Sequence, residues 1–172
     1  RGLSGVEIVA PEPGVPVEVA PGILWVRFVL PFRLDHVNVY LLEDGDGWAV
    51  IDTGIANDRT RATWEALLAG PLAGRRLTRL FVTHHHPDHI GLAGWLAERC
   101  SLRLWMSQTE YLEGQTIALN PGALDQGPYK QFYIEHGLDE AGTELVVRQG
   151  HGYLRMVTPL PLTFRRLVGG DR

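Results

Sequence analysis

Four of the seven histidines fall within six residues, in His84-His85-His86-Pro87-Asp88-His89. This segment follows directly on Leu80-Phe81-Val82-Thr83, a run of strand composition. Side chains alternate along an extended backbone, so His84 and His86 project to one side and can chelate a single ion. His85 projects away from that pair and is expected not to ligate. Pro87 holds His86 extended and stiffens the turn, which is expected to carry Asp88 and His89 round to a different side, where a second ion can sit. Imidazole nitrogen with carboxylate oxygen suits Zn²⁺, Fe²⁺ or Mn²⁺, whereas calcium would need mostly oxygen. Gly91 and Gly94 allow close backbone approach beside the turn. A loop that leaves a strand and enters a helix is also where α/β proteins place ligands.

The elements that must position this cluster can be read from periodicity. Ile23 to Leu30, Val37 to Leu42 and Trp48 to Ile51 are rich in aromatic and β-branched residues, and Asp44-Gly45-Asp46-Gly47 turns the second into the third, which predicts three antiparallel strands. Both faces of these strands are apolar, a pattern that suits a sheet covered on both sides. Ahead of them, Val15, Val17 and Val19 alternate among prolines and read as an edge strand. From position 57 the period becomes helical, with Asn57 or Asp58 as cap and Gly70-Pro71 as stop. Leu77 to Val82 and Leu102 to Met106 read as strands, with a short helix around Leu92, Trp95 and Leu96 between them. Ser107 and Glu110 form a capping box for a helix ending at Asn120-Pro121-Gly122. A further helix starts at Pro128 and ends at Gly137, and another spans Asp139 to near Met156, with Gly150 as its weak point. Leu162 to Leu167 begins a last strand.

The turn Thr83-His84-His85-His86-Pro87-Asp88-His89-Ile90-Gly91 resembles the Thr-His-x-His-x-Asp-His-x-Gly signature of the metallo-β-lactamase superfamily. Asn38-Val39-Tyr40-Leu41 and Ile51-Asp52-Thr53-Gly54 resemble that family's earlier strand and its Asp-Thr-Gly loop, in the same order. The resemblance implies an α/β fold, the αββα sandwich, with His84 and His86 on one metal and Asp88 and His89 on a second. Asp52 would stand behind the metals without ligating, though an Asx hydrogen bond bracing its own turn is an equal alternative. Two zinc ions are implied, with iron or manganese as substitutes. Such ions lower the pKa of a bound water toward ~7, and Asp88 would both ligate and orient the nucleophile. The implied activity is hydrolysis of an ester, thioester, lactone or phosphodiester. The alternative within the same family is a mononuclear-iron persulfide dioxygenase.

The family's later ligands have no counterpart here. Gly150-His151-Gly152 offers a Gly-His pair, but its flanks read as helix, and His151 is not expected to ligate. The chain is therefore expected to be one domain over 1–172, the N-terminal half of the sandwich, truncated at its C-terminus. As an isolated fragment it is expected to be non-catalytic, with an incomplete metal site and an exposed sheet face that invites homo-oligomers. His36, His136 and Cys100 read as structural, and the pairs Arg75-Arg76 and Arg165-Arg166 as solvated.

Composition narrows the partners. The net charge is −4, and each half of the chain carries 8 basic and 10 acidic residues. That balance argues against a basic nucleic-acid groove without excluding nucleic acid, and favours a small-molecule substrate. No apolar run approaches the ~18 residues of a membrane span, so a soluble, cytoplasmic protein is expected. One cysteine can form neither an internal disulfide nor a thiolate cage, which leaves His and Asp as the metal donors.

Overall fold

A computed structural model of the chain describes residues 9–120, 122–123 and 127–171. It consists of one seven-stranded sheet with a helical layer packed on one face. The strands are β1 (Val17–Ala20), β2 (Ile23–Val29), β3 (His36–Asp44), β4 (Gly47–Ile51), β5 (Leu77–Phe81), β6 (Leu104–Ser107) and β7 (Arg165–Leu167). Their spatial order is their chain order. The first four pair antiparallel, and β4 to β7 pair parallel through helical crossovers. The helices are α1 (Asp58–Ala69), α2 (Pro87–Ile90), α3 (Ala93–Cys100), α4 (Gln108–Leu119), α5 (Gly127–Glu135) and α6 (Glu140–Arg155).

The expected strands and most helices form where periodicity places them. Asn57 caps α1 by accepting from the Thr60 amide, and Asp139 caps α6 in the same way through Gly142. At α4 only half of the capping box forms. Ser107 accepts from the Glu110 amide, but the Glu110 carboxylate is drawn off to His85. Gly150 does not interrupt α6, and the single turn α2 lies inside what the sequence shows only as a proline loop. β7 is shorter than the predicted run. Pro121, within the expected helix stop, lies outside the described residues.

The two sheet faces differ. Leu41, Val50, Leu80 and Leu104 stand in register across four strands on the buried face. Trp64 and Leu67 of α1, Ile90 of α2, Leu96 of α3 and Tyr111 of α4 cover them. On the other face, Trp25, Tyr40, Ile51, Phe81, Trp105 and Arg165 form one row across six strands. That row is only half-buried up to Trp105, and Arg165 is exposed, so the apolar pattern on both faces does not correspond to two covered faces among the described residues. Of the arginine pairs expected to be solvated, Arg76, Arg165 and Arg166 are exposed and Arg75 is half-buried, and they make surface contacts. Arg75 pairs with Glu43 and lies 4.4 Å over the Trp48 ring, Arg76 pairs with Asp46, and Arg165 lies over Trp105. Cys100 ends α3 half-buried, and burial pushes its thiol pKa up.

Candidate metal centre

Two loops at the C-terminal ends of the adjacent parallel strands β4 and β5 meet and are stitched together. The Thr53 amide and hydroxyl both donate to the His89 carbonyl, at 2.9 and 2.8 Å. Leu92 N–H in turn donates to the Gly54 carbonyl and the Thr53 hydroxyl. Behind them, the buried Trp64 indole donates to the Thr53 carbonyl at 2.9 Å, so α1 fixes the first loop from below. The approach is close enough to require glycine at 91, where a Cβ would stand 2.6 Å from the carbonyl oxygens of both Gly54 and Met156.

Asp52 sits in this seam, 4% exposed and with φ of 66°. A left-handed backbone is uncommon for a residue other than glycine, and Asp tolerates it better than most. Its carboxylate accepts from the Thr83 amide at 2.8 Å, from the Thr83 hydroxyl at 2.9 Å and from His89 Nδ1 at 2.8 Å. These bonds cross from one loop to the other instead of bracing the turn that Asp52 occupies. With Nδ1 bound to Asp52, His89 Nε2 faces Asp88, 3.3 Å from Oδ2.

The four residues singled out by the sequence come together, with one difference in arrangement. His84 and His86 have ring centroids 4.7 Å apart, as alternation predicts. His89 is not carried away from this pair. The single turn of α2 and the pull of Asp52 bring its ring to 4.1 Å from that of His84, closer than His86. The electrostatics follow from crowding. Burial, with the neighbouring His89 and His86, lowers the pKa of His84. At His89 burial also acts downward, but the Asp52 and Asp88 carboxylates outweigh it and raise the pKa to about 9. The hydrogen bond from His89 lowers that of Asp88. Among the described residues, no three His, Cys, Asp or Glu side chains yet stand as a formed coordination shell. The donor set nonetheless fits a late first-row divalent ion: three imidazoles and a carboxylate in one cluster, one imidazole already oriented by a buried carboxylate.

His85 alternates away from the pair and binds elsewhere. Its ring Nδ1 and its amide both meet the Glu110 carboxylate, at 2.7 and 2.9 Å, which lowers the pKa of Glu110. The Tyr153 hydroxyl donates to the His85 carbonyl at 2.7 Å, and burial raises the tyrosine pKa to about 12. Glu110 and Tyr153 thus clamp the histidine turn from α4 and α6. The capping-box position of Glu110 hid this role, and nothing in the local pattern around Tyr153 pointed to it. His151 lies within α6, and His36 and His136 bond to Arg27 and to the Phe132 carbonyl respectively, as structural residues do.

The family model of the metallo-beta-lactamase superfamily matches residues 32–163. The chain belongs to that superfamily. It is 37% identical to a beta-lactamase domain protein from Burkholderia ambifaria, whose structure superposes with a TM-score of 0.76 over 96% of this chain and 48% of that one. A metallo-beta-lactamase family protein from Thermus thermophilus is 26% identical, with a TM-score of 0.69 over 90% of this chain and 48% of that one. A stretch of 71 residues is 35% identical to the protein named probable metallo-hydrolase YqjP of Bacillus subtilis, covering 41% of this chain and 22% of that protein. The chain thus spans about half the length of the two solved relatives. No helix among the described residues is long and apolar enough to cross a membrane.

Proposed function

We propose that the protein of which this chain is a part is a metal-dependent hydrolase, with His84, His86, Asp88 and His89 as ligands of one or two divalent ions, zinc first among them. The observation that carries the reading is the relay Asp52, His89, Asp88. A buried carboxylate fixes one ring nitrogen of His89 and thereby presents the other, beside Asp88, to the space shared with His84 and His86. Outer carboxylates that orient a ligating histidine in this way are a recurrent feature of metal sites.

When bound, the ions would supply Lewis acidity and a water ionised near neutral pH. The remaining roles belong to the chain. Asp88, besides ligating, would orient the attacking water. Thr83 holds Asp52 through its amide and hydroxyl, so the ring of His89 keeps one orientation. Glu110 and Tyr153 hold the backbone of the ligand turn, which fixes where His84 and His86 emerge. An ester, thioester or lactone carbonyl is the substrate group that best suits the even charge distribution of the chain.

The test uses the full-length protein purified without chelator. Bound zinc, iron or manganese, together with ester or thioester hydrolysis that chelator abolishes and added metal restores, is the expected result. Protein with no bound transition metal, and no gain of activity on adding one, would overturn the proposal.

A further inference from the structure

Beside the cluster, a cleft of about 730 Å³ runs from His86, Pro87 and Asp88 into the space between α4, α5 and α6. That volume is within the range of small-molecule sites, roughly 300–1,000 Å³. Its walls are largely apolar. Ile117 comes from α4, Tyr129 from α5, and Leu145, Val146 and Met156 from α6 and its end. On α6, Leu145, Gly152 and Met156 recur at helical spacing and form one stripe along the cleft. Gly152 lies in the middle of that stripe, and a Cβ there would meet nothing nearer than the Met156 methyl at 3.9 Å. The stripe is therefore hollowed where a larger residue would fit. Leu145, 45% exposed, contributes apolar surface that no described residue covers. Polar groups also line it: the exposed His86 and the half-buried Asp88 at one end, and the exposed Arg148 and Gln149 on α6 between Leu145 and Gly152.

A largely apolar trough with His86 and Asp88 at one end suits a molecule whose scissile group is polar and whose body is aliphatic. We infer that this cleft is the acyl-binding subsite of the centre, and that the substrates are esters or thioesters of medium-length aliphatic acids. Helices α5 and α6 then serve as a specificity arm, and the void at Gly152 sets how much chain is accommodated. This rests on the hydrolase reading for the reaction, but the cleft binds an aliphatic carboxylate, the product, whether or not metal is present. Burial of each methylene is expected to tighten binding by roughly twofold to fourfold, the upper figure being that of full burial.

The experiment uses full-length protein, with Gly152→Leu to fill the trough, Leu145→Gln to make its wall polar, and Gly152→Ala as the smaller change. Thermal melts show that each variant is folded. Calorimetry in chelator then measures acetate, butanoate and octanoate, and kinetics with metal measure the matching thioesters. Octanoate is expected to bind at least tenfold tighter than butanoate. Gly152→Leu and Leu145→Gln should each remove most of that preference, and the octanoyl to acetyl ratio of kcat/KM should fall at least tenfold in Gly152→Leu. Octanoate binding that is no tighter than butanoate, or unaltered in both folded variants, would overturn the inference, as would equal kcat/KM for all acyl lengths. Tight, variant-sensitive octanoate binding without hydrolysis of any thioester would uphold the cleft and refute the hydrolase reading instead.

Discussion

Replacing Asp52 by Asn isolates the relay from the fold. Asn accepts the left-handed backbone at φ of 66° about as readily as Asp, so the turn is not strained. The side-chain oxygen can still accept from the Thr83 amide, now 2.8 Å from Oδ1. The amide nitrogen takes the place of Oδ2, which accepts from His89 Nδ1 at 2.8 Å. An NH₂ group there can only donate, so Nδ1 must give up its proton and the neutral ring must carry it on Nε2. Nε2, which binds a metal only after giving up its proton, then holds the single proton of the ring, and its lone pair is withheld from the metal. Outer partners of this kind change metal affinity by about 10–100-fold, equivalent to roughly 1.4–2.7 kcal/mol. Competition with a chromophoric chelator should show zinc affinity falling within that range in Asp52→Asn, at a thermal midpoint close to that of the parent. Affinity within twofold of the parent, in a folded variant, would refute the claim that Asp52 acts through the orientation of His89.

Three other outcomes are expected. Asp44 accepts from Arg79 and Thr78, and these bonds hold its pKa down to about 2; because the folded value is the lower one, its stabilisation is complete above pH ~4 and fades as pH falls toward ~2. With the pair about a quarter to a third exposed, about 1 kcal/mol is at stake, and Asp44→Asn should flatten that much of the acid limb in urea unfolding. Gly94→Ala would set a Cβ 1.8 Å from the Pro159 carbonyl oxygen, a backbone collision expected to cost more than ~3 kcal/mol, whereas Gly152→Ala in an open stretch of α6 should gain about 0.5–1 kcal/mol; equal melting temperatures for the two would contradict the packing. Tyr153→Phe removes the 2.7 Å bond to the His85 carbonyl and should lower stability by about 1 kcal/mol, measured by urea midpoint, while raising hydrogen exchange in the 84–90 turn.

The sheet was legible because it is written in local periodicity. Ile23 to Ile51 alternates and turns at Asp-Gly, and three antiparallel strands result. The histidine turn stood out because histidines at this density occur for few other reasons, and its residues do come together. What escaped depends on residues distant in sequence. The sequence places His89 apart from His84, but Asp52, thirty-seven positions upstream of His89, draws it back. Glu110 reads as a helix cap, since the capping pattern is the same whether or not its carboxylate turns toward His85. Apolar residues on both faces of β2 and β3 imply two covers, yet only one face is packed here, because alternation reports the character of a face and not what lies against it.

The sequential order of the sheet has a kinetic consequence. From β1 to β4 each strand pairs with the one synthesised just before it across a short connection, so these pairings close no long loop and the entropic barrier to each stays small, whereas β5, β6 and β7 add across longer helical crossovers. As the chain leaves the ribosome, β1 to β4 can form from hairpins alone, leaving the Asp52 turn at the growing edge. Addition of β5 then delivers Thr83 and the histidines onto a prepared acceptor. The histidines thus meet Asp52 before α5 and α6 emerge, Tyr153 fastening the turn only afterwards, and nascent chains stalled near residue 110 outside the exit tunnel should already protect the amides of β2 to β4 from exchange.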